Sequence, residues 1–177
     1  KNLEINFKPQ NGLNIFVEGE NCTTYLNGLF TPSDREHIDN HTHLEHIKPN
    51  CFSSECYKGI INDKATGVFN GKVVVHQDAQ KIMAYQQNNN ILLSDDAVVN
   101  AKPELEIYAD DVKCSHGSTT GQIDEDALFY LQARGISKSA SLQLLMVGFI
   151  DEVLQSVQLK EVKDFYSNKM ESLLASN

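Results

Sequence analysis

Residues 3–114 form a run of short segments in which apolar and polar residues often alternate, separated by Gly, Asn and Asp. Such alternation is typical of half-buried β-strands, and no helical period of useful length occurs in this part of the chain. The region is therefore predicted to be all-β. The predicted strands are LEINF, LNIFVEG, TYLNGLF, YKGIIN, ATGVFNGKVVVH, KIMAYQQ, NILLS, AVVN and LEIYA.

The turns between these segments leave two architectures open. They are polar stretches such as NDKATG and QQNNN rather than the Asn-Gly or Asp-Gly pairs of two-residue hairpins. Short strands with polar corners, spaced about ten residues apart, also suit a parallel β-helix, whose inward residues stack from coil to coil. No exact repeat decides between a sandwich or barrel and a β-helix.

After Gly121 the pattern becomes helical, which divides the chain into residues 1–121 and 122–177. Asp124 is predicted to cap a first helix that ends at Arg134-Gly135. A second helix from Ser137 or Ser139, and a third from about Lys160, are expected to pack on each other and on the β region. The predicted buried residues are Ala127, Leu128 and Leu131 in the first helix, Leu142, Leu145, Phe149, Val153 and Val157 in the second, and Val162, Phe165, Tyr166, Met170 and Leu173 in the third. Leu144, Met146 and Ile150 widen the apolar face of the second helix, and we consider them candidates for binding in the groove of a partner protein.

Length and charge limit the classes of function. The 177 residues suffice for one domain with a small helical appendage. A net charge of -9, with 15 scattered Lys and Arg, argues against nucleic acid or an anionic membrane as partner. The longest apolar stretch, LQLLMVGFI, falls short of the roughly 20 residues of a membrane span. The chain starts with Lys and shows no signal-peptide pattern, so we expect a longer N-terminal portion.

The four cysteines are Cys22, Cys51, Cys56 and Cys114, and none forms a CxxC pair. With no export signal, we expect reduced thiols in a cytoplasmic protein. A single Cys51–Cys56 bridge stays open as an alternative.

Histidines are concentrated in HIDNHTHLEH, residues 37–46. If this segment is extended, Asp39, His41, His43 and Glu45 share one face. Two histidines with carboxylates resemble a mononuclear metal site of the cupin type, although the carboxylate follows the second histidine too closely for that family. A solvated strand face is the simpler alternative.

Cys114 and His116 stand two residues apart in KCSHG, immediately before the helical region. In a strand they point the same way, so a thiolate and an imidazole could bind a soft metal or the edge of an iron–sulfur cluster. Two ligands are too few for a closed site. The pair is therefore either structural or completed by another chain.

Four segments resemble the C-terminal part of the SufB/SufD family of SUF iron–sulfur cluster assembly subunits. They are YLNGLF, HIDNHTHLEHIKPNCFSSECYKGIINDKATGVFNGKVVV, ELEIYADDVKCSHGSTTGQIDEDALFYLQARGIS and LLMVGFIDEVL. The resemblance covers residues 25–157. It implies a mainly β protein, with a right-handed parallel β-helix followed by a small C-terminal helical subdomain.

The resemblance also implies a function. In this family the β-helix pairs with a SufB-type scaffold subunit, and the helices dock a SufC-type ABC ATPase. His116 matches the histidine of the family's CSHG motif at the interface with SufB, where a nascent cluster forms, and Cys114 lies within that motif. We therefore expect a non-catalytic subunit with no stably bound cofactor, a transient cluster at His116, and a possible homodimer. The residues expected to contact the ATPase are Arg134, Gly135, Ile136, Leu145, Gly148 and Phe149.

Overall fold

The computed structural model of the protein describes residues 10–157 and 159–175, so the predicted strand LEINF lies outside the described residues. Within this part of the chain, eight strands precede three helices. The strands are β1 (Gln10–Val17), β2 (Thr23–Phe30), β3 (His37–His46), β4 (Phe52–Ile61), β5 (Thr66–Val75), β6 (Ile82–Leu92), β7 (Val98–Ile107) and β8 (Val112–Gly121), and the helices are α1 (Glu125–Gln132), α2 (Lys138–Gln155) and α3 (Lys160–Ala175).

Successive strands alternate between two parallel sheets. One sheet has the order β1-β3-β5-β7 and the other the order β2-β4-β6-β8. Each strand is thus paired with the strand that occupies the same place in an adjacent coil, and the pairing is parallel throughout. The chain winds into a parallel β-helix of about four turns, which confirms the β-helix and excludes a hairpin-based sandwich or barrel.

The corners of the coils repeat with a period that the sequence analysis did not detect. Asn21 and Asn50 have φ values of 56° and 59°, and Asp34 and Asp63 have values of 55° and 53°. Asn and Asp tolerate this left-handed region better than other side chains that carry a Cβ. Hydrogen bonds link equivalent corners 29 residues apart, as from Asp34 N to Asp63 Oδ2 at 3.0 Å.

Several strands differ from those predicted because their inward positions are polar. Strands β3 and β8 were not among the predicted strands, and β4 begins five residues earlier than YKGIIN. Strand β6 joins the segments KIMAYQQ and NILLS, and β7 joins AVVN and LEIYA. Pairing with the strands of neighbouring coils stabilises these strands, so they do not need an apolar pattern in their own sequence.

The interior of the β-helix contains a buried polar ladder as well as an apolar core. The Glu55 side chain is 4% exposed, and its carboxyl lies 2.6 Å from Thr42 Oγ1. Gln86 Nε2 donates to Glu55 Oε2 at 2.8 Å from the next coil. Burial raises the pKa of Glu55, and the two hydrogen bonds oppose that rise only in part. The apolar core around the ladder includes Leu44, Ile61, Phe69, Val73, Val75, Ile82 and Ala84.

The helices begin at the predicted caps. The Asp124 side chain accepts hydrogen bonds from the backbone N–H groups of Asp126 and Ala127, and the Ser137 hydroxyl accepts one from Ala140. At the end of α1, Gly135 has a φ of +86°, a conformation that favours glycine. No helix among the described residues is long and apolar enough to cross a bilayer.

Helix α2 attaches the helices to the outer face of β4. The ammonium of Lys58 is nearly buried, donates to the backbone oxygen of Phe149 at 2.7 Å, and lies 2.7 Å from the carboxylate of Glu152. From α3, Tyr166 donates its hydroxyl to the backbone oxygen of Leu29 at 3.2 Å. The shared apolar cluster contains Ile60, Met146, Ile150, Leu154, Tyr166 and Met170.

The buried face of α2 is rotated relative to the predicted stripe. Met146 and Ile150, which we assigned to a partner's groove, are completely buried, whereas Leu142, Leu145 and Phe149 are half-buried. The predicted burial of Ala127, Leu128 and Leu131 in α1 is also wrong, since that helix has no buried residue. In the third helix, Tyr166 and Met170 are buried as predicted, Val162 is half-buried and Phe165 is exposed. The side chain of Leu173 lies outside the described ones.

We predict that Glu55→Gln stabilises the protein at pH 8. The amide oxygen of glutamine can accept from Gln86 Nε2, and its N–H can donate to Thr42 Oγ1, so both contacts are kept without the cost of a buried charge. Because the folded-state pKa of Glu55 is raised, wild-type stability is lost as the pH rises above the unfolded value of about 4.5. The advantage of the variant should therefore shrink as the pH falls towards 4.5. Urea unfolding at both pH values measures it, with the exposed Glu18→Gln as control. Equal stability of the two proteins at pH 8 would contradict the prediction.

Candidate functional site

The last coil of the β-helix leaves two strand edges unpaired within the described residues. Strand β8 pairs only with β6, and β7 pairs only with β5. The backbone N–H and C=O groups on the free side of such strands are open to pairing with another chain. The end of the β-helix therefore presents a ready surface for strand addition.

The inward positions of β8 are uncovered for the same reason. Cys114 stacks in register on Ala84, and His116 stacks on Gln86. Ala84 and Gln86 are buried because β8 of the next coil covers them. His116 is exposed, since no described coil lies above it.

The structure places Cys114 and His116 on one face of β8, as the spacing predicted, since they stand two residues apart in the strand. Cys114 is half-buried against the apolar core, and burial raises the pKa of its thiol. In the part of the chain that the structure describes, no three His, Cys, Asp or Glu side chains are grouped so as to hold a metal ion. The pair on its own is thus an incomplete ligand set.

A polar ladder leads from the interior to His116. Glu55, Gln86 and His116 occupy equivalent inward positions on β4, β6 and β8. The Oε1 atom of Gln86 is buried and has no hydrogen-bond partner, and it belongs to the rung directly beneath the histidine. Glu55 and Gln86 were not among the residues predicted for this site. The coil period of about thirty residues, read from the Asn and Asp corners, would have aligned them with His116.

A surface cavity of about 510 Å³ adjoins the exposed end of this ladder. Its lining includes His116, Cys56 of β4 and Glu152 of α2. Burial raises the pKa of the Cys56 thiol, and the nearby carboxylate of Glu152 adds to that rise. Sequence reasoning assigned Cys56 no part in this site. The cavity brings the β-helix end and the helical region to one place on the surface.

Two of the residues predicted to contact the ATPase shape the turn between α1 and α2. The Arg134 guanidinium stacks on the Tyr130 ring, 3.4 Å from its centroid, and the arginine is exposed. Gly135 is also exposed and allows the turn through its positive φ. Ile136, the third residue of the predicted set in this turn, is half-buried.

The remaining predicted contacts lie on α2. Gly148 is exposed and Leu145 is half-buried. Phe149 faces the β-helix at least in part, because Lys58 Nζ lies 4.8 Å from the centroid of its ring. Its side chain therefore already has an intramolecular role.

Large apolar side chains nearby are exposed. Phe129 and Tyr130 of α1 are 71% and 56% exposed, and Leu144 of α2 is 54% exposed. Helices α1 and α2 contact each other. Of these three residues, only Leu144 was predicted to belong to a partner surface. Exposed aromatic and aliphatic side chains around a polar turn are typical of a surface that binds another protein.

The histidine-rich strand β3 has the predicted shared face, and its histidines pair with neighbouring carboxylates. His41 Nε2 lies 2.8 Å from Asp39 Oδ1. The two oxygens of Glu45 lie 2.7 Å from His43 and 2.7 Å from His76 of the next coil. The hydrogen bond with His43, followed by that with His76, lowers the pKa of Glu45. These local pairs occupy the candidate ligands, and the cupin hypothesis is not favoured.

Comparison with known proteins places the chain in a family. Residues 8–149 match the family described as SUF system FeS cluster assembly, SufBD core domain. The chain is 43% identical over 147 residues to the iron-sulfur cluster assembly protein SufD of Escherichia coli (strain K12), covering 83% of this chain and 35% of that protein. It is 36% identical over 154 residues to an iron-sulfur cluster assembly SufBD family protein of Synechocystis sp., covering 87% of this chain and 34% of that protein. The chain thus spans about a third of the length of the curated relatives it matches.

The matched region contains all eight strands and reaches Phe149 in α2, so it includes both the open end of the β-helix and the α1–α2 turn. The protein belongs to the SufBD family of the SUF iron–sulfur cluster assembly system.

Proposed function

We propose that the chain is a cytoplasmic, non-catalytic part of a SUF assembly complex, which pairs with a SufB-type scaffold subunit and docks a SufC-type ATPase. Membership of the SufBD family supports the assembly role. The observation that carries the pairing is the open end of the β-helix, where β7 and β8 each lack a second partner strand among the described residues.

Pairing at this end accounts for the incomplete ligand set. A scaffold subunit added along β8 would cover His116 and supply the further ligands that Cys114 and His116 lack. The cluster is then cargo that forms between the two chains and leaves, rather than a resident cofactor. A thiolate and an imidazole are both suited to iron, and an exposed histidine exchanges its cargo more readily than a buried one.

The helical region is the proposed contact for the ATPase. Phe129 and Tyr130 of α1 and Leu144 of α2 offer exposed apolar side chains, and Arg134 stacks on Tyr130. The Lys58–Glu152 pair joins α2 to β4. Movement of a docked ATPase would therefore act on the same β-helix that carries His116.

A homodimer is the second arrangement that the open end favours. In the absence of the scaffold subunit, a second copy of this chain can pair along the same edges of β7 and β8. The two arrangements use one surface and therefore exclude each other.

We predict that Leu144→Asp weakens binding of the SufC-type ATPase by about 30-fold or more, the effect of losing a hot spot worth about 2 kcal/mol. Leu144 is 54% exposed, so the fold should tolerate the change. Titration calorimetry with the purified ATPase subunit measures the dissociation constant.

The matched control is Leu159→Asp, the same substitution at a leucine that is 61% exposed beyond the other end of α2. Leu159 follows the C-terminal end of α2, which lies eleven residues, or about 16 Å along the helix axis, from Leu144. Equal binding by the wild type and the Leu144 variant would exclude Leu144 from the surface that docks the ATPase. Equal weakening by both variants would show a non-specific effect of the added charge.

We predict that His116→Ala abolishes most cluster maturation without destabilising the protein. The side chain is exposed, so the change in unfolding free energy should stay within about 0.5 kcal/mol. The activity of an iron–sulfur enzyme, in cells that depend on this protein, reports maturation. Ser118→Ala, at the next exposed inward position of β8, serves as control. Normal maturation in the His116 variant would exclude the proposed role of this histidine.

A further inference from the structure

Cys22 and Cys51 occupy equivalent corners of adjacent coils. Cys22 immediately precedes β2, and Cys51 immediately precedes β4. The next residues, Thr23 and Phe52, are in-register partners, and Phe52 N donates to the backbone oxygen of Cys22 at 2.8 Å. Neighbouring parallel strands lie about 4.8 Å apart, which is within the Cα separation of 4.4–6.8 Å that disulfides span.

The two side chains pack at one place. The backbone N–H of Cys22 donates to Cys51 Sγ at 3.4 Å, and Cys22 packs against the apolar cluster that contains Cys51. Gly19 lies against both cysteines. Its backbone oxygen accepts from Cys51 Sγ at 3.2 Å, and a Cβ added to it would lie 3.0 Å from Cys22 Sγ.

The two thiols differ in access. Cys22 is half-buried and lines a surface cavity of about 500 Å³. Cys51 is 1% exposed, and burial raises the pKa of its thiol. An oxidant from solution therefore meets Cys22 first, while Cys51 is protected and positioned to react second.

Cys56 is too far away to compete for Cys51. It lies in β4, five residues further along an extended segment, which corresponds to about 16 Å at 3.3 Å per residue. This distance exceeds the reach of a disulfide and is incompatible with the Cys51–Cys56 bridge that the sequence left open.

We propose that Cys22 and Cys51 are an oxidative modification site, at which a peroxide converts the two thiols into a disulfide that joins the first two coils. The Cys22 thiolate attacks a peroxide oxygen and becomes a sulfenic acid, releasing hydroxide that takes up a proton to form water. The Cys51 sulfur then attacks the Cys22 sulfur, and a second water leaves. Overall, two thiols and one hydrogen peroxide give one disulfide and two waters.

The bridge would close a loop 29 residues long in sequence and thereby restrict the unfolded chain. We expect the oxidised protein to melt about 5–10 °C higher than the reduced protein. The site lies on the first two coils, whereas His116 lies on the last strand. Oxidation is therefore expected to reinforce the far end of the β-helix and to leave the open end unchanged.

The test is to treat the fully reduced protein with equimolar hydrogen peroxide, block the remaining thiols by alkylation, and map the peptides without reduction by mass spectrometry. The expected product has lost two hydrogen atoms and contains a Cys22–Cys51 linked peptide. Thermal melts of the same samples, before and after reduction with dithiothreitol, measure the shift. Cys56→Ser should form the bridge in the same yield, and Cys22→Ser should show neither the bridge nor the shift.

Sulfinic acid at Cys22 with a free Cys51 would overturn the proposal, as would a mixture of intermolecular disulfides without the Cys22–Cys51 peptide. Both outcomes are read on the wild-type chain, so they do not depend on the folding of a variant. The proposal is also independent of the assembly function, because neither readout involves a partner subunit.

Discussion

The in-register pairing between successive coils is the interaction on which the rest of the structure depends. Every strand from β3 to β6 is hydrogen-bonded on both sides, to the coil before it and to the coil after it. This pairing fixes which residues stack, and the alternation along each strand then decides which of them are buried. It also explains why polar strands such as β3 and β8 form. The same pairing leaves free edges at both ends of the described coils, and the candidate site lies at the β7–β8 end.

A buried carboxyl is costly in such an interior, and the coils reduce that cost by stacking polar groups. Glu55 is paired with Thr42 across the β-helix and with Gln86 from the next coil. Above them, His116 continues the ladder to the surface. The site is therefore the exposed end of a polar column that begins inside the protein, rather than a group of residues added to its surface. The helices are attached from outside to the strand that carries Glu55, because Lys58 of β4 holds α2.

Local signals in the sequence were sufficient for the starts of the first two helices. Asp124 and Ser137 cap the first two helices as predicted, because capping needs only residues close in sequence. The fold class required the family resemblance, since alternation within single strands left a sandwich and a β-helix equally open. The spacing of the corner residues Asn21 and Asn50 equals the length of one coil. Two residues 29 positions apart are nevertheless a weak signal when the register between the strands is not known. The buried face of α2 was misjudged because Met146 and Ile150 are buried by distant strands. The exposure of His116 depends on how many coils cover it, and the spacing of residues in KCSHG does not determine that number. The proposed role of His116 in cluster assembly stays a prediction.

We propose that the open end of the β-helix and the α1–α2 turn are two separate protein-binding surfaces. Amide hydrogen exchange of the chain, alone and with SufB-type and SufC-type subunits added singly, tests it most directly. We expect the scaffold subunit to slow exchange in β7 and β8, residues 98–107 and 112–121, and the ATPase subunit to slow exchange in residues 125–145. Protection of the outer face of β3 with no change in β8, or no protection in the helices, would contradict the account.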